Sequence, residues 1–394
     1  MNTSNIVINS DGNVTINGSI SFATKTIIKH KHDFAVYIGR FQPFHVGHLH
    51  VVTEALKLAD KLIIIVGSHN KPRDWKNPWT SAERIEMIRA SLPKEMKDRV
   101  YFTTVEDRLY QDKEWGAKIY DAVNAILMDY SPFHLNSVDP NRNPKIAVVG
   151  YDKDDTSWYL NAFPKWKTEL VPAFTVEEND EALSATMIRD MMYANHFGYV
   201  KHILPEGAFD GVREWMKTPN FTYVKEWYEF EKKYQKPYEM LPYGTNFYCA
   251  DNVIMQGNYV LMIRRKAHPG MGLWALPGGH INGNENSFQA ALRELREETG
   301  LKIPEKVIAG SYKGSYIFDH PERSLRGRCG KKVGRTISNS HCFVFTDASN
   351  GLPRVVPADD ALEARWFLIS EIRQMRDQIF EDHADQIEYW VARV

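Results

Sequence analysis

The sequence predicts two successive domains, an α/β unit built on a parallel sheet followed by an α+β unit. Three observations carry this. The chain is 394 residues long, enough for two cores at roughly 100 to 200 residues per domain. Short apolar runs alternate with amphipathic segments from Phe34 to Met216, the rhythm of a covered parallel sheet. After Tyr243 the order changes to strand, strand, one strong helix and further strands.

Residues 1–33 precede the first domain as an extension. Residues 5–18 alternate around Asp11 and Gly12, the pattern of a short hairpin, and residues 1–32 carry neither a secretory nor a transit-peptide character. The α/β unit, 34–217, reads as strand 34–38, helix 47–59, strand 61–66, helix 81–92, strand 100–105, helix 115–127, strand 146–149 and a short helix at 158–163. Helices 185–193 and 207–216 close it. Residues 218–243 shift to Lys, Glu and Tyr, with Pro237 and Pro242 set against a long helix, and read as the linker. In the α+β unit, 244–394, strands are expected at 246–255, 259–264, 340–345 and 364–368.

Composition excludes several function classes. With 49 Lys+Arg against 50 Asp+Glu the net charge is -1, so no global field favours nucleic acid or an anionic membrane. No run approaches the roughly 18 apolar residues that a membrane helix requires. Cys249, Cys329 and Cys342 are too few for a disulfide framework, which points to a reducing, cytoplasmic compartment. Self-association is left open by these features.

The first chemical constellation runs from Gly39 through Arg40, Phe41 and Gln42 to His45, Gly47 and His48, from a strand end into a helix start. A helix N-terminus offers unpaired N–H groups and a positive dipole end, which suit phosphate. Gly39 is expected to let a nucleotide approach the backbone, and Gly47 to keep space clear beside two imidazoles three residues apart. A bare pair with this spacing also fits a zinc pair or two surface histidines; the strand-to-helix setting favours phosphate. Asn77-Pro-Trp-Thr-Ser-Ala-Glu-Arg84 offers Thr80 or Ser81 as the cap of a helix carrying Glu83 and Arg84. Leu183-Ser-Ala-Thr-Met-Ile-Arg189 supplies Ser184 and Thr186 as hydroxyls and Arg189 as a bidentate fork for phosphate.

The second constellation begins at Gly279, continues through Glu285 and ends in Arg293-Glu-Leu-Arg-Glu-Glu-Thr-Gly-Leu301. On one helix, Phe288, Ala291, Leu292 and Leu295 make an apolar stripe. Glu294, Glu297 and Glu298 share another arc and are expected to converge. Like charges so placed repel unless a cation joins them, and Mg²⁺, or Mn²⁺ in its place, suits an all-oxygen set. Gly300 falls where a helix C-terminus needs a left-handed residue. Arg293 and Glu285 are expected to brace the loop against the helix.

These segments carry two resemblances. His45-Val-Gly-His48, with the stretches ending at Arg84 and Arg189, resembles the nucleotidyltransferase superfamily and, more narrowly, the archaeal-type nicotinamide mononucleotide (NMN) adenylyltransferases; Leu183 stands where that pattern has Ile. The stretch from Gly279 to Leu301 matches the Nudix box at every specified position. Together, over residues 34 to 390, they resemble the bifunctional NMN adenylyltransferase/Nudix hydrolase family. The fold implied is a Rossmann-like nucleotidyltransferase domain with a parallel sheet, then an α+β Nudix fold.

The resemblance implies that the first half joins NMN to the α-phosphate of ATP and releases pyrophosphate. Arg40, His45, His48 and Arg189 would hold the triphosphate with Mg²⁺; Gly39, Phe41, Gln42, Gly150, Ser184 and Thr186 would line the ATP and NMN subsites. Trp115 would stack on nicotinamide, or else pack in the core, and residues 150–158 would line the cleft or form a solvated loop. In the second half, Glu294, Glu297 and Glu298 would bind metal, with Glu297 and Glu298 placed in the catalytic set, for hydrolysis of ADP-ribose to AMP and ribose 5-phosphate. Glu363 and Glu322 are candidates for an assisting base, and residues 329–335 read as an insertion before the next strand. The rival readings are another acceptor (nicotinate mononucleotide, FMN or phosphopantetheine), a different Nudix substrate, or a Nudix half that senses ADP-ribose without cleaving it. Partners are thus expected to be small-molecule nucleotides.

Overall fold

Five strands, β3 (His32–Gly39), β4 (Ala59–Val66), β5 (Val100–Thr104), β6 (Ile146–Gly150) and β7 (Lys167–Leu170), form an all-parallel sheet in the order β5-β4-β3-β6-β7. The computed structural model describes residues 6–8, 14–16, 30–129, 143–151, 155–172, 174, 183–320, 323, 333–346 and 351–394. Among these, the hairpin strands β1 (Ile6–Ile8) and β2 (Val14–Ile16) pair antiparallel; Asp11 and Gly12 lie outside the described residues.

The central strands are buried because the sequence is apolar on both of their faces: Leu62 through Val66 in β4 are fully enclosed. On one face pack α1 (Val46–Leu58) and α2 (Ser81–Ser91); the single turn α3 (Lys94–Lys97) follows α2. On the other lies α4 (Asp112–Asp129), with Ile119 and Val123 against Ile63, Ile65 and Val148. The chain starts at β3, moves outward to β5, then returns to β6 on the other side of β3. That reversal opens a crevice at the carboxyl ends of β3 and β6. The segment expected as a short helix at 158–163 is a 3₁₀ helix, Asp155–Asn161. Strand β7 was not anticipated, since Lys-Thr-Glu-Leu is a short, mostly exposed edge with no apolar alternation.

Helices α5 (Ala185–Tyr193) and α6 (Glu206–Trp215) close the first domain as expected. Where a proline-broken linker is expected, α7 (Pro219–Gln235) runs for 17 residues. Pro219 occupies its first turn, where a missing N–H costs nothing, and Pro237 lies beyond its end. Val224 and Trp227 are buried against the first domain's core, while the Tyr223 hydroxyl donates to the Met271 carbonyl (2.9 Å).

The second domain is a seven-stranded mixed sheet: β8 (Thr245–Gln256), β9 (Tyr259–Arg265), β10 (Trp274–Ala275), β11 (Gly278–His280), β12 (Tyr312–Phe318), β13 (Val333–Phe345) and β14 (Ala361–Leu368). Helix α8 (Ser287–Thr299) covers one face, and α9 (Glu305–Gly310) and the turn α10 (Ile369–Ile372) flank it. The other face is covered by α11 (His383–Val391). Strand β13, parallel to β8, starts well before the expected 340, so Gly334 and Arg335 belong to it rather than to an insertion; Cys329 is outside the described residues. Its pattern was masked because inward positions carry Ser338 and Ser340, small polar residues with buried partners. Among the described residues no helix is long and apolar enough to cross a membrane.

Candidate active sites

The first domain's crevice is a cleft of about 320 Å³ lined by Gly39, Arg40, Phe41, Gln42, His45, Gly47, His48, Ser184, Thr186 and Arg189, so segments far apart in sequence meet there. At its floor His45 caps α1. The His48 backbone N–H donates to His45 Nδ1 (3.4 Å), and the His45 N–H donates to His48 Nδ1 (3.2 Å). With both Nδ1 atoms accepting, each ring carries its proton on Nε2. The imidazoles stack with centroids 3.6 Å apart, and burial together with His45 holds the His48 pKa well below the ordinary histidine value. Two neutral N–H donors side by side suit an anionic, phosphate-rich ligand.

Three glycine roles emerge from close approach. A Cβ on Gly39 would come within 2.7 Å of the Phe41 ring, so this glycine makes room for the Phe41 side chain while itself lining the cleft. Phe41, at φ 52°, is buried edge-on against Tyr37 and His48. Gly47 does leave room beside an imidazole, its Cβ position lying 3.2 Å from the His45 ring. Gly150 admits Leu160 (2.8 Å) and is not among the residues lining the cleft.

Gln42 spends its amide on the scaffold: Nε2 donates to the Trp79 carbonyl (2.9 Å) and Oε1 accepts from the Trp79 N–H (3.2 Å). Its own carbonyl accepts from Arg189 (2.5 Å), whose other terminal nitrogen donates to Thr186 Oγ1 (3.1 Å). Arg189 Nε, buried at the cleft wall, has no hydrogen-bond partner among the described residues, and burial lowers the pKa of this side chain. Ser184 caps α5 through the Thr186 N–H. The 77–84 stretch is likewise a brace. Thr80 and Glu83 form a capping box, Glu83 binds Arg73 through both oxygens, and buried Arg84 donates to the carbonyls of Arg40, Gly67, Ser68 and Thr80.

Trp115 packs against Trp158 and Phe163 on α4's side of the sheet and does not line the cleft. Tyr151 and Ser157, within the 150–158 segment, line the cleft, whereas the lining residues that sequence reasoning missed include Tyr37, Lys76, Tyr159 and Phe174. Lys76 adjoins a segment already singled out; Phe174 gives no signal short of the fold.

In the second domain, Asn286 and Gln289 form a capping box at the start of α8, and Gly300 ends it at φ 55°. The apolar stripe lies on the sheet as expected. Glu298 is only 3% exposed; its carboxylate accepts from the Gly278 N–H (2.8 Å), and burial beside Glu294 and Asp251 raises its pKa to about 8. Glu294 is raised for similar reasons. Arg293 reaches Glu285 (2.6 Å), Glu294 (2.7 Å), Glu297 (2.9 Å) and the His280 carbonyl (3.1 Å), bracing loop and helix. The expected convergence of the three glutamates is therefore not met: among the described residues, no three carboxylate, imidazole or thiol groups are gathered for a metal ion. The guanidinium has drawn Glu294 and Glu297 to itself while Glu298 turns to the backbone. Two glutamates gathered about one side-chain cation, with buried Glu298 near Glu294, still make an all-oxygen set that fits a hard divalent ion in charge and donor type. Gly279 shapes the cradle, since a Cβ there would lie 2.3 Å from Glu294 Oε1. Glu363 is paired with Arg264 (2.7 Å) on the neighbouring strand, and Glu322 lies outside the described residues.

Comparison with known proteins agrees with both domains. The cytidylyltransferase-like family model matches residues 36–191 and the NUDIX domain model matches residues 247–390. A bifunctional NMN adenylyltransferase/ADP ribose pyrophosphatase from Francisella tularensis, solved with AMP and a manganese ion, is 31% identical with a TM-score of 0.79, covering 92% of this chain and 99% of that one. The nicotinamide/nicotinic acid mononucleotide adenylyltransferase of Acinetobacter baylyi is 30% identical over 50% of this chain and 95% of its own length. An ADP-ribose pyrophosphatase of Methanocaldococcus jannaschii is 29% identical over 39% of this chain and 84% of its own.

Proposed function

The chain belongs to the family that joins an NMN adenylyltransferase to a Nudix ADP-ribose pyrophosphatase, and we propose that it performs both reactions at its two separate sites. The first makes NAD⁺ and pyrophosphate from NMN and ATP; the second hydrolyses ADP-ribose to AMP and ribose 5-phosphate. The observation that carries this reading is the reciprocal cap of His45 and His48, which fixes two neutral Nε2–H donors at the floor of a switch-point cleft.

In the first reaction an NMN phosphate oxygen attacks the α-phosphorus of ATP, and the bond to the bridging oxygen breaks as pyrophosphate leaves. No protein nucleophile is needed; positioning and charge neutralisation suffice. Arg40 and Arg189 supply positive charge, the two imidazoles donate to the charge growing on the leaving group, and the Ser184 and Thr186 hydroxyls line the same wall. In the second reaction Glu294, Glu297 and Glu298 would hold a divalent cation, for which we propose Mg²⁺; when bound it supplies positive charge at the pyrophosphate and acidifies the attacking water. Arg293 keeps Glu294 and Glu297 within one turn of helix, and the Gly278 N–H orients Glu298.

Separate assays on single variants test the scheme. His48→Ala should lower NAD⁺ formation by roughly 10² to 10³ and leave ADP-ribose hydrolysis intact. Glu298→Gln should do the reverse. An unchanged chain that forms no NAD⁺ from NMN, ATP and Mg²⁺ sinks the first assignment; release of AMP from ADP-ribose decides the second.

A further inference from the structure

We infer that Tyr110, a residue of the first domain, is a positioning residue for the metal-binding carboxylates of the second. It lies in the loop after β5, and its ring packs edge-on against Phe318 and His320 at the end of β12. The hydroxyl donates to Asp382 Oδ2 (2.6 Å) at the start of α11. The same oxygen accepts from Arg323 Nε (2.8 Å), whose guanidinium also reaches Asp251 Oδ2 (3.3 Å) and the Thr336 carbonyl (3.1 Å). Gln386 spans both carboxylates, at 3.1 Å to Asp382 and 3.3 Å to Asp251, and the Ser338 hydroxyl donates to Asp251. Every one of these polar side chains in the second domain is buried.

The cluster sets two carboxylates against one guanidinium, so hydroxyl and amide donors must satisfy the remaining lone pairs. Tyr110 is the donor that the other domain contributes. What the cluster holds is the tripeptide beneath Glu298. Asp251 pairs in register with Gly278, and a Cβ on Gly278 would meet Asp251 Oδ1 at 2.5 Å. His383, adjoining Asp382, accepts from the Leu276 N–H (2.8 Å), and Asn252, adjoining Asp251, donates to the Pro277 carbonyl (3.0 Å). The next N–H in line is that of Gly278, bound to Glu298. A first-domain hydroxyl thus sets the strand that orients a metal-site carboxylate.

This rests on the reading of Glu294, Glu297 and Glu298 as the cation site, and the test separates the two. In the full chain, Tyr110→Phe keeps the ring packing and removes only the hydroxyl. Mn²⁺ alone serves as probe, its binding followed by electron paramagnetic resonance, beside the kcat and KM of ADP-ribose hydrolysis and the rate of NAD⁺ formation. Expected is roughly tenfold weaker Mn²⁺ binding and a similar fall in hydrolytic kcat, with KM and NAD⁺ formation within about twofold of the parent. Arg108→Gln breaks a different interdomain contact, the 2.8 Å bond to Glu388, and should leave Mn²⁺ binding unchanged. Parent-like Mn²⁺ binding by a folded Tyr110→Phe chain overturns the inference. So does an equal loss in Arg108→Gln, which would mean that any loosening of the interface suffices. If the parent binds Mn²⁺ but cleaves no ADP-ribose, the substrate reading fails while the binding comparison still decides the role of Tyr110.

Discussion

At the scale of single residues, the two histidines show how backbone geometry selects a protonation state. Each Nδ1 is committed to a helix-start N–H, so a second proton on either ring would break that cap, and protonating both would place two cations 3.6 Å apart at their centroids. The His48 resonances should therefore stay neutral in an NMR titration well below the ordinary value of 6.5. The sign for stability follows: below pH 6.5 the unfolded chain binds a proton that the folded chain refuses, so stability falls with falling pH until the lowered folded pKa is reached. Normal titration of His48 near 6.5 would refute the reciprocal cap. Gly279 is the corresponding point in the second domain. Gly279→Ala forces the Glu294 carboxylate aside, and Mn²⁺ titration should show binding weakened about tenfold in a chain that still folds, because the clash is with a movable side-chain end.

Elements carry the next level of control. Helix α2 is tied to the cleft by Arg84, whose donors satisfy carbonyls on two separate segments, Arg40 after β3 and Gly67–Ser68 after β4. Lysine offers neither the planar fork nor the reach to do this. Arg84→Lys should lower NAD⁺ formation strongly while ADP-ribose hydrolysis, followed in parallel, is kept. The cap of the same helix is worth less: Thr80→Ala removes one side-chain acceptor and should cost about 1 kcal/mol in denaturant unfolding. Such pieces were legible early, since capping residues, glycine at a helix end and the apolar stripe of α8 follow from local chemistry. Strands β7, β12 and the first half of β13 were not, because short edges and inward-facing serines carry no alternating pattern.

At the scale of the whole molecule, helix α7 joins the domains into one packed body. Its Trp227 is enclosed with the first domain's core and faces Phe380 and His268 of the second. Trp227→Ala should destabilise the chain by roughly 3–5 kcal/mol, and limited proteolysis of the parent should spare Pro219–Gln235. Cleavage within that helix under native conditions would contradict the packing. Polar contacts continue the junction: Arg108 meets Glu388 and Tyr110 meets Asp382, so the loop after β5 is shared between domains.

The sequence by itself determined the succession of an α/β and an α+β domain, the histidine-bearing helix start and the carboxylate helix, because each is a local pattern whose spacing alone places its groups on one turn or one face. Only the tertiary structure decided that Gly39 makes room for Phe41, that Trp115 lies in packing and that Arg293 occupies the company of the glutamates. It also decided that a tyrosine of one domain reaches the buried charges of the other. Those outcomes depend on which distant segments meet and on which buried charge finds a partner first, and spacing along the chain carries neither.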